Sequence, residues 1–321
     1  MTALLALPEG LFALLAASRR LLFRHGLLRS RKLPVPVVVI GNINVGGVGK
    51  TPLTLALLQA FAARGVKVGV ISRGYGGSHQ QPTVVGSDTP ASLVGDEPLL
   101  LAGAGAPVVV GRNRVAAGEL LLRHHPEVEL LLSDDGLQHY AMQRALEIVV
   151  IDGERGLGNG HLLPAGPLRE PAARLASVDA VVINGEHRTA LDWPPQLPLF
   201  RQRLLPGTFQ HLAGSQPPRQ AADFAGMKVV AMAGIGNPER FFATLRGLGL
   251  VLQRTIALPD HHDFVTTDIP DDADAVIVTS KDAVKLQCVN HARLWFLPVT
   301  AQLEPDLAGW ILSRLKEFHG R

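Results

Sequence analysis

Apolar positions fall into short unbroken runs that alternate with longer amphipathic stretches. Val35–Ile40 has the length of a buried strand, Gly41–Gly49 is glycine-rich, and Thr51–Ala63 reads as an Ala/Leu helix with Pro52 in its first turn. Strands are predicted at Val66–Ser72, Val108–Val110, Val128–Ser133, Ile148–Asp152 and Asp179–Asn184, with a helix at Arg114–His124. Alternating apolar strands and helices imply a parallel sheet covered on both faces. Residues 205–220, with Pro206, Gly207, Gly214, Pro217 and Pro218, read as a linker. A second set follows: strand Lys228–Ala233, a Gly234–Gly236 turn, helix Pro238–Leu248, strand Ala275–Thr279 and a closing helix near Pro305–Phe318. The predicted division is residues 1–33, 34–215 and 216–321.

The first eighteen residues are largely apolar, with Glu9 their only charged side chain, and are interrupted at Pro8-Glu9-Gly10. As a helix they reach only about 27 Å, against a hydrocarbon core of about 30 Å. The expected helix starts at Pro8, with a narrow polar stripe of Ala13, Ala17, Arg20 and Arg24 opposite Leu11, Leu15 and Leu22. Residues 1–32 hold six basic side chains and one acid, while the remainder holds 25 basic and 27 acidic. The net charge of +3 therefore hides a segment of +5 beside a body of −2. A positive segment next to an apolar one points to an anionic membrane surface, with arginines reaching headgroups. The competing readings are a first helix packed on the core and an Arg-rich transit peptide. A nucleic-acid enzyme more often spreads its basic residues over a folded domain, so no nucleic-acid partner is expected.

Composition narrows the class further. With 321 residues, 47% apolar and 18% charged, the chain is long enough for about two domains with sizeable cores. A single cysteine, Cys288, excludes an intrachain disulfide and any Cys-rich metal site. The sequence leaves the oligomeric state open.

The strongest chemical signal is Asn44-Val45-Gly46-Gly47-Val48-Gly49-Lys50-Thr51, between a predicted strand and a predicted helix. Such a loop turns backbone N–H groups toward phosphates, Lys50 reaches the β/γ-phosphates, and the Thr51 hydroxyl can ligate Mg²⁺. Asn44 stands where the pattern has glycine, and asparagine also tolerates left-handed dihedrals. A phosphate-loop enzyme needs a second acid at a neighbouring strand end, and Asp134-Asp135 has that form, with Asp152 as rival. Four loop clusters add weaker candidates: Ser72–Gly77 with Arg73, Gly95–Pro98 with Asp96, Leu163–Glu170, and Asp260–Asp263. Arg73 suits phosphate and Asp96 suits a general base. His261 and His262 are adjacent, which favours one functional histidine among turn residues over a zinc site.

Taken together, these segments resemble the tetraacyldisaccharide 4′-kinase family. The match runs through residues 39–52, I-S-R-G-Y-G-G (71–77), G-D-E-P (95–98), S-D-D-G-L-Q-H (133–139), G-N-G-H-L-L-P-A-G-P-L-R-E (158–170), D-H-H-D-F (260–264) and T-S-K-D (279–282). The resemblance implies a P-loop NTPase-like α/β domain with a second, smaller α/β domain and an N-terminal membrane-associated helix. It implies ATP- and Mg²⁺-dependent phosphorylation of the 4′-hydroxyl of tetraacyldisaccharide 1-phosphate, giving lipid IVA for lipid A and lipopolysaccharide at the cytoplasmic face of the bacterial inner membrane. Carried onto this chain, the general base falls on Asp96 and its helper histidine on His261. Lys50 and Thr51 take nucleotide and metal roles, and Asp134, Asp135, Gln138 and His139 form the second acidic motif. Arg169 and Glu170 are the pair beside the phosphates, with Glu170 on the metal side. Arg114 is the further active-site arginine, with Arg112 a nearby alternative. Leu137 stands where the family pattern leads one to expect an aromatic residue. The alternative class is a membrane-recruited ATPase or GTPase switch that binds a protein partner; such ATPases usually carry lysine where this chain has Val45, and Thr279–Asp282 lacks the asparagine of a guanine-reading segment.

Overall fold

The computed structural model describes residues 2–186, 194–262, 264–286 and 291–319, the side chains of 2–4, 318 and 319 excepted. Asp263 and Cys288, read from the sequence above, lie outside the described residues. In chain order the first part comprises α1 (Thr2–Arg24), β1 (Val37–Gly41), α2 (Lys50–Ala62), β2 (Val68–Ser72), β3 (Thr83–Val85), α3 (Ala91–Val94), α4 (Asp96–Ala102), β4 (Val108–Val110) and α5 (Arg114–His124). It continues with β5 (Leu130–Asp134), β6 (Leu146–Asp152), β7 (Ala180–Asn184) and β8 (Leu199–Pro206). The second part holds β9 (Gln210–His211), β10 (Val229–Ala233), α6 (Pro238–Gly247), β11 (Leu252–Ala257), β12 (Ala275–Thr279), α7 (Ser280–Ala283) and β13 (Leu294–Leu297). β14 (Val299–Glu304) and α8 (Leu307–His319) close the chain.

A nine-stranded sheet runs β14-β8-β7-β6-β1-β5-β2-β4-β3, parallel from β8 to β4 with an antiparallel strand at each edge. Successive side chains of a strand face opposite ways, so a run such as Val37–Ile40 must be apolar throughout to bury both faces. Val38 and Ile40 join a core under α2 and α8, with Leu53, Leu57, Phe61, Leu307 and Ile311. Val37 and Val39 join the opposite core, with Val115 and Leu121 of α5. A five-stranded sheet, β11-β10-β12-β13-β9, forms the second lobe around Phe242 and Trp295.

The predicted C-terminal unit of 216–321 does not stay together. After β13 the chain returns to the large sheet, where β14 pairs antiparallel with β8 from Val299↔Pro206 to Glu304↔Arg201. Helix α8 then buries Leu307, Ile311 and Leu315 on the large sheet's core. The chain therefore crosses between the lobes twice, from β8 to β9 and from β13 to β14, and part of the expected linker at 205–220 is strand.

Helix α1 also differs from expectation. It begins at Thr2 and carries Pro8 inside it. A proline so early removes one helical hydrogen bond next to a first turn whose N–H groups have no partners anyway. The partly covered face carries Glu9, Ala13, Ala17 and Arg20, whereas Leu7, Leu11, Leu14 and Leu15 point away, 88%, 60%, 63% and 62% exposed. Ala13, Ala17 and Arg20 of the expected polar stripe thus turn toward the protein, while Arg24 stays exposed. Glu9 fixes this orientation by accepting the Leu162 N–H at 2.8 Å and lying 3.1 Å from His161 Nδ1. No helix of the described residues is long and apolar enough to cross a membrane.

Candidate active site

At the C-terminal edge of the large sheet, β1 runs into the glycine loop and the loop into α2. Gly46 and Gly49 take φ of +99° and +93°, values that favour glycine. Asn44 is not among the left-handed residues. Instead its Nδ2 donates to the Gly156 carbonyl at 2.8 Å, so asparagine is here a strut to a neighbouring turn. The segment at 158–170 lies alongside: Val45 N–H donates to the Pro167 carbonyl at 2.8 Å, and Arg169 N–H to the Ile43 carbonyl at 2.6 Å. From the far side, Asn184 Nδ2 holds the Val48 carbonyl and Gln202 Nε2 the Gly49 carbonyl, both at 3.0 Å. Buried carbonyls in an irregular loop need such donors, and these two come from β7 and β8. Sequence reading missed both residues, because Asn184 merely ends an apolar strand and Gln202 sits between two arginines, and neither belongs to a motif.

Lys50, at the start of α2, donates to Asn42 Oδ1 at 3.0 Å and lies 3.3 Å from Asp135 Oδ1. Thr51 follows it on the same turn. Asp135, at φ 47°, also pairs with Arg169 at 3.4 Å. Burial raises its carboxyl, but Lys50 and Arg169 outweigh that and hold it below the usual range. Asp134 ends β5 fully buried, with neither carboxylate oxygen hydrogen-bonded. Burial foremost, with the charge of Glu97, pushes it up to about 7 despite Lys50 and Arg114. A buried carboxylate without hydrogen bonds is costly to keep charged unless a cation joins it.

Arg114 lies behind this acidic turn, not in front of it. Its guanidinium donates to the carbonyls of Gly111 and Asp134, both at 3.0 Å, and burial lowers its pKa to about 10, which keeps it charged. Glu170 is also turned away from the role given above: Gln138 donates to one oxygen at 2.8 Å, and Tyr140 and Arg174 to the other at 2.7 and 3.2 Å. A carboxylate with both oxygens occupied is poorly placed to hold a metal. Asp152, the rival acid, is likewise spent, accepting the N–H groups of Glu154 and Arg155 on one oxygen and Arg240 of the second lobe on the other. Burial foremost pushes His139 down to about 4, so its ring is neutral. Leu137 is buried against Gly41, where its packing needs no aromatic ring.

Across the loop, Asp96 opens α4 and is 3% exposed. Its position depends on Gly95, whose φ is +87° and where any side chain would strike the Tyr75 carbonyl. This contact joins the Arg73-containing loop to the Asp96 loop; Arg73 itself is exposed. His261 comes from the second lobe, and its Nδ1 is 3.1 Å from Asp96 Oδ2. Its neighbour His262 pairs instead with Asp268 at 2.9 Å. Two lysines of the second lobe complete the setting. Lys281 lies 3.2 Å from Glu97 and 3.9 Å from Asp96, and Lys285 lies 3.8 Å from Asp96 and 2.9 Å from Asp282. Burial raises Asp96, but the bond to His261 and the charges of Lys281, His261 and Lys285 outweigh it and hold the carboxyl below 3.8. The same bond is the main cause raising His261 above 6.5.

The sign of the resulting pH dependence follows from these directions. The His261 contribution to stability is complete below pH 6.5 and is lost as pH rises through its higher folded value. The Asp96 contribution is complete above pH 3.8 and is lost as pH falls through its lower folded value. His261→Gln is therefore expected to destabilise most between those limits. Urea unfolding at about pH 5 and about pH 9 checks this; a deficit that is undiminished at the higher pH contradicts it.

A glycine loop between strand and helix, together with a buried carboxylate of the same lobe that an imidazole of the second lobe bonds, defines an α/β phosphotransferase. The tetraacyldisaccharide-1-P 4′-kinase family model matches residues 1–316. A tetraacyldisaccharide 4′-kinase of Chromobacterium violaceum is 67% identical over 100% of this chain and 96% of its own, and one of Neisseria meningitidis serogroup B is 48% identical over 96% and 90%. The crystal structure of LpxK from Aquifex aeolicus in complex with ATP superposes with a TM-score of 0.83 at 27% identity, covering 98% of this chain and 99% of that one. The chain belongs to the tetraacyldisaccharide 4′-kinase family.

Proposed function

We propose that this protein transfers the γ-phosphate of ATP to the 4′-hydroxyl of tetraacyldisaccharide 1-phosphate, forming lipid IVA for lipid A. The observation that carries the reading is Asp96, buried and bonded to His261 of the second lobe in a chain that matches the family over residues 1–316. That match favours a kinase over a nucleotide-driven switch.

Phosphoryl transfer is mostly positioning and charge stabilisation, and the transition state is loose. Lys50, Arg169 and Arg73 supply positive charge toward the phosphates, and the loop's N–H groups hold them. Arg114 acts from behind, fixing the carbonyls of the 134–135 turn. Asp96 accepts the hydroxyl proton as the new O–P bond forms and the bond to the ADP oxygen breaks. A carboxylate held low does not remove that proton in advance, so proton movement accompanies transfer. His261 orients Asp96 by donating from Nδ1. The hydroxyl of Thr51 and the unpartnered Asp134 fit a magnesium ion, with Asp135 beside them; among the described residues no three His, Cys, Asp or Glu groups converge, which suits a metal that keeps waters and phosphate oxygens. When bound, the ion neutralises charge developing on the phosphates.

The acceptor's acyl chains leave a bilayer only at high cost, about 0.8 kcal/mol per CH₂. The outward leucines of α1 and the basic residues Arg19, Arg24, Arg29, Arg31 and Lys32 suit an anionic surface, placing the enzyme peripherally on the cytoplasmic face of the inner membrane. One experiment tests both parts. Labelled γ-phosphate is expected to appear in the glycolipid in step with ADP when the acceptor is in anionic vesicles. A variant with Leu7, Leu11, Leu14 and Leu15 all changed to Gln is expected to remain folded, since these side chains are exposed, and to lose most vesicle-bound protein and turnover. ADP release without glycolipid labelling overturns the kinase reading, and undiminished vesicle binding by the variant overturns the membrane role of α1.

A further inference from the structure

The turn after β6 is built onto the phosphate loop, and it carries a cation that nothing in the mechanism uses. Asp152 is 3% exposed and accepts the N–H groups of Glu154 at 3.0 Å and Arg155 at 3.1 Å on one oxygen. Its other oxygen is held by Arg240 at 3.1 Å. The next residue, Gly156, offers its carbonyl to Asn44 Nδ2, so the turn is tied at both ends, once to the strand end and once to the loop. Between those ties stands Arg155. A methyl group added at Gly46 would lie 3.2 Å from Arg155 Nη1, 3.8 Å from Nη2 and 4.0 Å from Cζ. The guanidinium thus faces the tip of the phosphate loop.

Among the described residues, that guanidinium has no hydrogen bond or ion pair. Three other cations near the loop are engaged: Lys50 and Arg169 share Asp135, and Arg240 holds Asp152. Its planar fork matches two phosphate oxygens. An unpaired surface guanidinium usually stays in water, because ordering a long side chain costs conformational entropy. Here the backbone beneath it is already fixed by Asp152 and Asn44, which lowers the cost of ordering it over an anion.

We infer that Arg155 binds the phosphate chain of the nucleotide, entering from the side of the loop opposite Asp96's helix α4. The inference rests on the proposed reading that this loop holds ATP. Arg155 serves affinity for the triphosphate, while Asp96 serves the acceptor hydroxyl. The asparagine at position 44 then has a use that glycine lacks, because its side chain carries the Arg155 turn to the loop.

The test compares Arg155→Ala, Arg155→Lys and Lys50→Ala in steady-state kinetics, with AMP and ATP binding measured by calorimetry. Arg155→Ala is expected to raise the KM for ATP about tenfold or more, as loss of charge-assisted bonds to phosphate does. Arg155→Lys is expected to restore only part of it, because an ammonium lacks the fork. AMP binding, the acceptor KM and the thermal midpoint are expected to hold, since the guanidinium has no protein partner. If Arg155→Ala keeps wild-type ATP binding and turnover while Lys50→Ala loses turnover, the inference falls and the reading of the loop stands. If Lys50→Ala also turns over normally, both fall. A change in stability or acceptor KM with unchanged ATP affinity likewise overturns the role given to Arg155.

Discussion

Asp96→Asn is expected to lower kcat by about two to four orders of magnitude, the usual worth of a positioned general base. Asparagine keeps the volume and the oxygen that accepts the Glu97 N–H at 2.8 Å, so α4 keeps its start. What it loses is the acceptor for the hydroxyl proton and the negative charge facing His261, Lys281 and Lys285. Lys285 retains Asp282 at 2.9 Å and Lys281 retains Glu97 at 3.2 Å, so neither lysine is stranded. The KM for ATP is therefore expected to change little, and steady-state kinetics at saturating acceptor separate the two terms. If ATP affinity collapses while kcat holds, Asp96 belongs to the nucleotide's surroundings and another group takes the proton.

Lys50→Ala is expected to reduce kcat by about two to three orders of magnitude, because it removes a preorganised charge where negative charge develops on the transferring phosphate. Folding should survive. Lys50 opens α2, where alanine is a strong helix former, and Asp135 keeps Arg169 at 3.4 Å as its counter-charge. Asn42 loses one donor to its Oδ1 and keeps its own bond to the Asn44 carbonyl at 2.6 Å. Circular dichroism and thermal unfolding check the fold, and γ-phosphate transfer to glycolipid checks the chemistry. Turnover near wild type would remove the phosphate-loop assignment at its centre.

Asp96 and His261 lie 165 residues apart, and they show how legibility divides in this chain. Each was marked by its local motif, and the resemblance to a kinase family supplied their roles. Their meeting at 3.1 Å is a property of the second lobe lying over the first. The metal-side acids divide the same way. Asp134, Asp135 and Glu170 are equivalent as carboxylates in a sequence, yet one is buried without a hydrogen bond, one is paired with two cations, and one has both oxygens occupied by Gln138, Tyr140 and Arg174.

Local sequence by itself determined the parallel core. Runs such as Val37–Ile40 and Val108–Val110 can bury both faces only between helices, and the Gly46–Thr51 loop needs dihedrals and an N-terminal helix dipole that its own residues supply. The strand pair β8 and β14 was decided only by the tertiary structure. In Leu199–Pro206 the buried positions are Phe200 and Gln202, set between exposed arginines, and Val299–Glu304 alternates partly covered and exposed residues. Half-solvated strands at and next to the sheet edge carry no unbroken apolar run, and Pro206 and Gly207 mask them further. Pairing partners distant in sequence make such strands, so the return of the chain to the large sheet is invisible in any local window. The struts Asn184, Gln202 and Asn44 belong to the same class: a hydrogen bond to a loop carbonyl more than a hundred residues away has no periodicity, and its energy appears only once burial removes water from both groups.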